Sequence, residues 1–145
     1  ETLAEETNLS IYPLGSTTFK HPESVGVEPD ECFYIRNIDR VRGKKRLDPN
    51  EELSPDLVIE IDVTSSSQNR LQVYADLGVG EIWIYNGVSL VIQQLQEGTY
   101  LLSETSQFFP DIPIAEIATF LQQAQTSDYL ELVRSFRAWV RSQIP

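Results

Sequence analysis

Short apolar runs separated by turn residues set the pattern of this chain. Leu57-Val58-Ile59-Glu60-Ile61-Asp62-Val63 is the clearest strand. Its first half is continuously apolar, as in a strand buried on both faces. Glu60 and Asp62 then interrupt it at alternate positions, which puts their side chains on one side of the sheet. Cys32 to Ile35 and Glu81 to Tyr85 read as two further strands. Leu9, Ile11 and Tyr12 lead into an extended segment that ends near Phe19, and His21-Pro22 through Gly26 reads as a loop. Val88 to Leu95 and Tyr100 to Leu102 complete the strands, with turn signals at Asn86-Gly87 and Glu97-Gly98.

Helical signals fill the remainder. Glu1 to Asn8 looks like the end of a helix. Ser65 to Ser67 offers caps for a helix running through Leu71 and Tyr74 to Leu77, which Gly78 stops. Pro113 opens another helix, with Ile114, Ile117, Phe120, Leu121 and Ala124 on one side. Asp128 with Glu131 makes a capping-box-like start for the last. Tyr129, Leu132, Val133, Phe136, Trp139 and Val140 form its apolar stripe, which is either core or a dimer face. Arg134, Arg137 and Arg141 fall on another face, where cations complement a helix C-terminus or reach DNA. The pattern predicts an α/β fold: a mixed β-sheet flanked by helices, with a C-terminal helical pair. The strand–helix–strand unit from Leu57 to Tyr85 should form a right-handed parallel crossover.

Size and composition agree with one domain over residues 1–145. The 145 residues are 41% hydrophobic and 23% charged, an ordinary globular balance. No apolar run approaches the roughly 20 residues that a bilayer-spanning helix needs, so no membrane partner is expected. Cys32 is the only cysteine and cannot close an internal disulfide, which points to a reducing compartment, most simply the cytoplasm. The sequence contains no methionine, so Glu1 is not expected to be a translational start and an N-terminal segment is expected to be missing.

Charge is distributed unevenly. The formal net charge is −11, which should repel nucleic acid at long range. Residues 36–46 nevertheless hold Arg36, Arg40, Arg42, Lys44, Lys45 and Arg46 against Asp39 alone. That segment is either a solvated hairpin loop or a patch that contacts phosphates on a protein otherwise kept away from DNA.

Several familiar sites are absent. His21 is the only histidine, which excludes multi-histidine zinc sites and argues against a Ser-His triad, and no glycine-rich phosphate loop occurs. Cys32 sits within a strand pattern as an inert buried thiol. Carboxylates remain. Asp30 follows Pro29 at the mouth of the second strand, and Asp56 follows Pro55 at the start of the third. If these strands lie side by side, Asp30 approaches Glu60. Carboxylates so placed repel one another unless a cation sits among them, and a hard divalent ion held by one or two carboxylates is the usual magnesium arrangement. The alternative is that they are edge-exposed acids of a soluble sheet.

At these residues the sequence resembles a known group. Gly26 to Ile35, Ser54 to Asp62, Asn69-Arg70-Leu71, Tyr74-Ala75, Leu77-Gly78-Val79 and Glu81-Ile82-Trp83 together resemble the Uma-two family of restriction-type endonucleases, within the PD-(D/E)xK nuclease superfamily. The resemblance runs from about Leu14 to Trp83. It implies a restriction-endonuclease-like core, a magnesium or manganese ion (Mg2+ or Mn2+), and DNA as the substrate of phosphodiester hydrolysis. It aligns Asp30 and Glu60 with the two acids that hold the metal. Where the superfamily usually carries a lysine, two residues after the second acid, this chain has Asp62, a further metal ligand or a partner for Arg70. Many relatives carry a lysine four residues before the helix tyrosine; here that residue is Arg70, four before Tyr74. Arginine can clamp a phosphate but stays protonated and cannot serve as a base. Relatives also carry an extra N-terminal acid, for which Glu5 or Glu6 is a weak stand-in.

Three readings follow. The first is a metal-dependent DNA endonuclease, with Asp30, Glu60 and Asp62 at the metal, Arg70 on the scissile phosphate and the segment from Arg36 to Arg46 on flanking DNA. The second is a nuclease-fold module without catalysis that binds DNA or a protein partner. The third is an acidic assembly protein with no nucleic-acid role. A homodimer is compatible with each.

Overall fold

A computed structural model describes residues 1–14, 29–36, 38–41, 54–61 and 67–145, with the side chains of residues 40, 41 and 67–69 outside that description. A six-stranded sheet runs in chain order: β1 (Tyr12–Pro13), β2 (Glu31–Tyr34), β3 (Leu57–Ile61), β4 (Glu81–Tyr85), β5 (Leu90–Gln96) and β6 (Thr99–Ser103). The β3–β4 pair is parallel, and the other neighbours are antiparallel. The mixed character follows from the connections. An 11-residue helix, α3 (Ser67–Leu77), lies between the parallel pair, whereas tight turns join β4 to β5 and β5 to β6.

Alternating side chains give the sheet two apolar faces. On one, Phe33, Leu57, Trp83 and Ile92 pack beneath α1 (Thr2–Glu6), α4 (Ile117–Gln123) and α5 (Tyr129–Gln143). On the other, Cys32, Val58 and Ile82 pack with Tyr74 of α3 and with Val79. Burial pushes the Cys32 thiol up to about 12, which leaves it inert at neutral pH.

Local chemistry explains most boundaries. Gly78, at φ +80°, ends α3: its N–H donates to Ala75 O and that of Val79 donates to Tyr74 O, a Schellman closure with Val79 packed on Tyr74. Glu97 and Gly98 both take positive φ, as a two-residue hairpin turn requires. At the other hairpin the strand resumes at Leu90 rather than Val88, because the Asn86 side chain accepts from the N–H groups of Val88 (2.9 Å) and Ser89 (2.8 Å) and holds them in the turn. Pro113 precedes one 3-10 turn, Ile114–Glu116, before α4 begins. Asp128 caps α5 by accepting from Glu131 N at 3.1 Å.

The segment read as a basic loop contains a short helix, α2 (Ile38–Val41). Its approach is set by Asp56, whose Oδ2 accepts from Ile35 N (2.6 Å) and Arg36 N (2.9 Å) and turns the chain out of β2. The strand expected to reach Phe19 is seen at Tyr12–Pro13; its remainder, and the loop at His21 to Gly26, lie outside the described residues. Among the described residues no helix is long and apolar enough to cross a membrane.

One buried acid ties the sheet to the loop after β6. Glu81 is fully buried at the start of β4. Its carboxylate accepts from Trp83 Nε1 (2.7 Å), Ser106 Oγ (2.5 Å), Gln107 N (2.9 Å) and Gln94 Nε2 (3.3 Å). Glu81→Ala would strand these donors, so we expect a loss of about 3 kcal/mol in stability, read from the urea midpoint. A loss below about 1 kcal/mol would show that water replaces the carboxylate at little cost.

Candidate active site

The register of β2 on β3 builds the site. Glu31 pairs with Ile59, so the next position outward sets Asp30 opposite Glu60. Opposed residues in a sheet point to the same face, and here it is the face that α3 covers. Pro29 is buried and precedes Asp30. Asp30 Oδ2 accepts from Ile61 N at 2.7 Å, which fixes its carboxylate at the outgoing end of β3.

Glu60 is only 5% exposed. Its Oε1 accepts from Arg70 Nη2 at 2.8 Å and from the Tyr74 hydroxyl. Arg70 and Tyr74 stand four residues apart on α3, so both project from one helix face toward the same carboxylate, and Arg70 Nη2 lies 3.4 Å from Tyr74 Oη. The Schellman closure at Gly78 draws on the Tyr74 carbonyl, so the stop of the helix also seats the tyrosine.

The electrostatics reflect this crowding. Burial pushes the Glu60 carboxyl up to about 7; the neighbouring Asp30 adds to the rise, while the Tyr74 hydrogen bond and the Arg70 charge oppose it. Burial, joined by the negative charge of Glu60, raises the Tyr74 phenol well above its ordinary value. Burial disfavours the Arg70 charge, but Tyr74 and Glu60 outweigh it and keep the guanidinium protonated.

The structure therefore brings Asp30, Glu60 and Arg70 together. Asp62 lies outside the described residues, as do Arg42, Lys44, Lys45 and Arg46, and Arg40 stands on α2 with its side chain undescribed. Arg36 leaves the opposite end of β2: at about 3.3 Å per residue, Asp30 and Ile35 are roughly 17 Å apart. The Arg36 guanidinium is already engaged, donating to Gln107 Oε1 at 2.6 Å and lying over the Phe108 ring at 5.4 Å. Glu5 and Glu6 are committed elsewhere. Glu6 pairs with Arg137 and with Arg141 (2.7 Å), and Glu5 with Arg137 at 3.2 Å. Arg137 and Arg141 of α5 thus fasten α1.

Sequence reasoning gave no role to Tyr74 or Gln107. The i,i+4 spacing of Arg70 and Tyr74 on one helix was the available signal for the first. Gln107 had none, because its partner lies 71 positions away.

The described acids fit a hard divalent cation. Two oxygen donors converge from adjacent strands, their mutual repulsion and burial raise Glu60, and the bonds given above use one oxygen of each. Among the described residues no group of three or more His, Cys, Asp or Glu converges, so the described donor set is this pair.

A mixed six-stranded sheet with helices on both faces matches a nuclease-like α/β fold. The model of the family described as "Uma2: Putative restriction endonuclease" matches residues 1–127, and the chain belongs to that family. A solved structure described as "a putative nuclease belonging to DUF820 from Anabaena variabilis ATCC 29413" is similar over 94% of this chain and 75% of that one, at 11% identity and a TM-score of 0.50. That likeness concerns the fold. None of the curated proteins matches the chain.

The raised Glu60 value makes a pH prediction. Its contribution to stability is complete below the ordinary value of 4.5 and is lost as pH rises toward and through about 7. Relative to Glu60→Gln, the metal-free protein should therefore lose on the order of 2–3 kcal/mol between pH 4.5 and 8. Urea melts of both proteins across that range check this; parallel curves would contradict it.

Proposed function

We propose that the chain is a divalent-metal-dependent endonuclease that hydrolyses phosphodiester bonds in DNA. Membership of a restriction-endonuclease family supports this reading, and the observation that carries it is the placement of Asp30 opposite Glu60, beside Arg70. In this reading Asp30 and Glu60 hold magnesium or manganese, with Asp62 as a third ligand or as a partner of Arg70. Such an ion, when bound, neutralises phosphoryl charge and acidifies water. Arg70, held against Glu60, offers its planar cation to the scissile phosphate, whose oxygens it matches. Tyr74 holds Glu60 and Arg70 in one arrangement, which lowers the cost of orienting them during reaction. Segment 36–46 contacts DNA away from the reacting bond. The protein then works among nucleic acid in a reducing, cytoplasmic setting, and a homodimer would let two such sites address two strands.

Arg70 also motivates a second reading, a DNA-binding module without catalysis. It stands where many relatives place a lysine, and no proton can leave it at neutral pH.

Nicking of supercoiled plasmid with manganese or magnesium separates the two. The endonuclease reading expects metal-dependent nicking that Asp30→Ala and Glu60→Ala reduce to background. Arg70→Ala should lower it about 100-fold, the scale of losing one aimed donor at a developing charge. Retention of DNA without nicking supports the module, and nicking that survives Glu60→Ala would overturn the assigned site.

Titration calorimetry adds a readout without DNA. Manganese should bind the wild type, and its affinity should rise with pH up to about 7, where Glu60 ionises, then level off. Equal heats with Asp30→Ala and Glu60→Ala would remove the metal site.

A further inference from the structure

Arg36 is exposed, yet its guanidinium is held from two sides. Its Cζ lies over the Phe108 ring, 5.4 Å from the centroid, and Gln107 Oε1 accepts from its Nη2 at 2.6 Å. Its own backbone N–H is pinned by Asp56. The holding residues are in turn fixed to the core. Gln107 N donates to the buried Glu81, Ser106 Oγ donates to the same carboxylate, and Phe108 N donates to that hydroxyl oxygen at 3.1 Å. Gly80 makes room for the amide: a Cβ there would stand 3.3 Å from Gln107 Nε2.

A lone surface arginine samples many rotamers and loses that freedom on binding. Here the exposed cation already lies over a ring and is hydrogen-bonded through Nη2 before any ligand arrives. Such a group suits one phosphate oxygen pair and costs little further entropy to use.

We infer that Gln107 and Phe108 are positioning residues that hold Arg36, beyond the end of β2 opposite Asp30, as a preset contact for one backbone phosphate of DNA. The inference rests on the DNA reading above and adds to it a fixed second anchor point. A phosphate at the opposite end of the strand from the carboxylates lies several steps along a single DNA strand, or on the other strand across the groove, so the anchor sets how the duplex is presented to Asp30 and Glu60.

The test is binding of a labelled DNA duplex to the full chain without divalent metal, over a series of salt concentrations. Arg36→Ala should reduce the slope of log affinity against log salt by about 0.9, the share of one phosphate. Arg36→Lys keeps the charge and should keep the slope, while losing affinity with the planar fork. Gln107→Ala leaves the backbone bond to Glu81 in place and should weaken binding about fivefold. Combined with Arg36→Ala, it should add nothing further, the mark of residues acting through one group. Wild-type binding by Gln107→Ala, or full additivity in the double variant, overturns the positioning role. Wild-type affinity in Arg36→Lys overturns the preset geometry even if a glutamine variant folds poorly. If the wild type itself retains no DNA at low salt, the DNA reading fails and this inference with it, a result distinct from indifference of the variants alone.

Discussion

The antiparallel pairing of β2 with β3 is the constraint on which the site depends. Glu31 opposite Ile59 leaves Asp30 opposite Glu60, and no other register on these strands would do so. A slip of β3 by one residue would carry Val58 and Glu60 together to the other face of the sheet, away from α3. The apolar partners that fix this register are the fully buried Cys32 and Val58, so the packing of one face of the sheet determines the spacing of two acids at its end.

Repulsion between those acids is contained rather than removed. Arg70 and Tyr74 satisfy one oxygen of Glu60 from α3, while Ile61 N satisfies one oxygen of Asp30 from the sheet. The helix can reach because β3 and β4 are parallel and need a crossover between them. The other buried acid, Glu81, is treated differently. Four donors surround it, and it serves as a fastening for the loop that follows β6. Two buried glutamates in one sheet thus do different work because of what stands around them.

Much of this was legible in the chain. The run from Leu57, broken by Glu60, showed both the strand and the end that carries the candidate site. Gly78, Glu97-Gly98 and Asp128 marked boundaries through local conformational demands. The family motifs aligned Asp30 and Glu60, which the register then sets opposite one another. What escaped depends on contacts between distant segments. The helical turn at Ile38–Val41 carries little periodicity, and the side-chain grip of Asn86 that delays β5 cannot be read from turn propensity alone. Gln107 is an unremarkable polar residue until Arg36 is placed beside it. Glu5 and Glu6 looked available as extra acids only while the partners of α5 were unknown; Arg137 and Arg141 take them up.

The clasp of Glu6 by Arg137 and Arg141 joins residues 131 and 135 positions apart in the chain. Ordering so long an intervening loop is entropically unfavourable until the central sheet has formed. Closure of the first helix against the last therefore belongs to the late stages of folding. Glu6 is largely enclosed and Leu3 and Ala4 of the same helix are buried against the sheet, so ion pairs and apolar contacts close together at this seam.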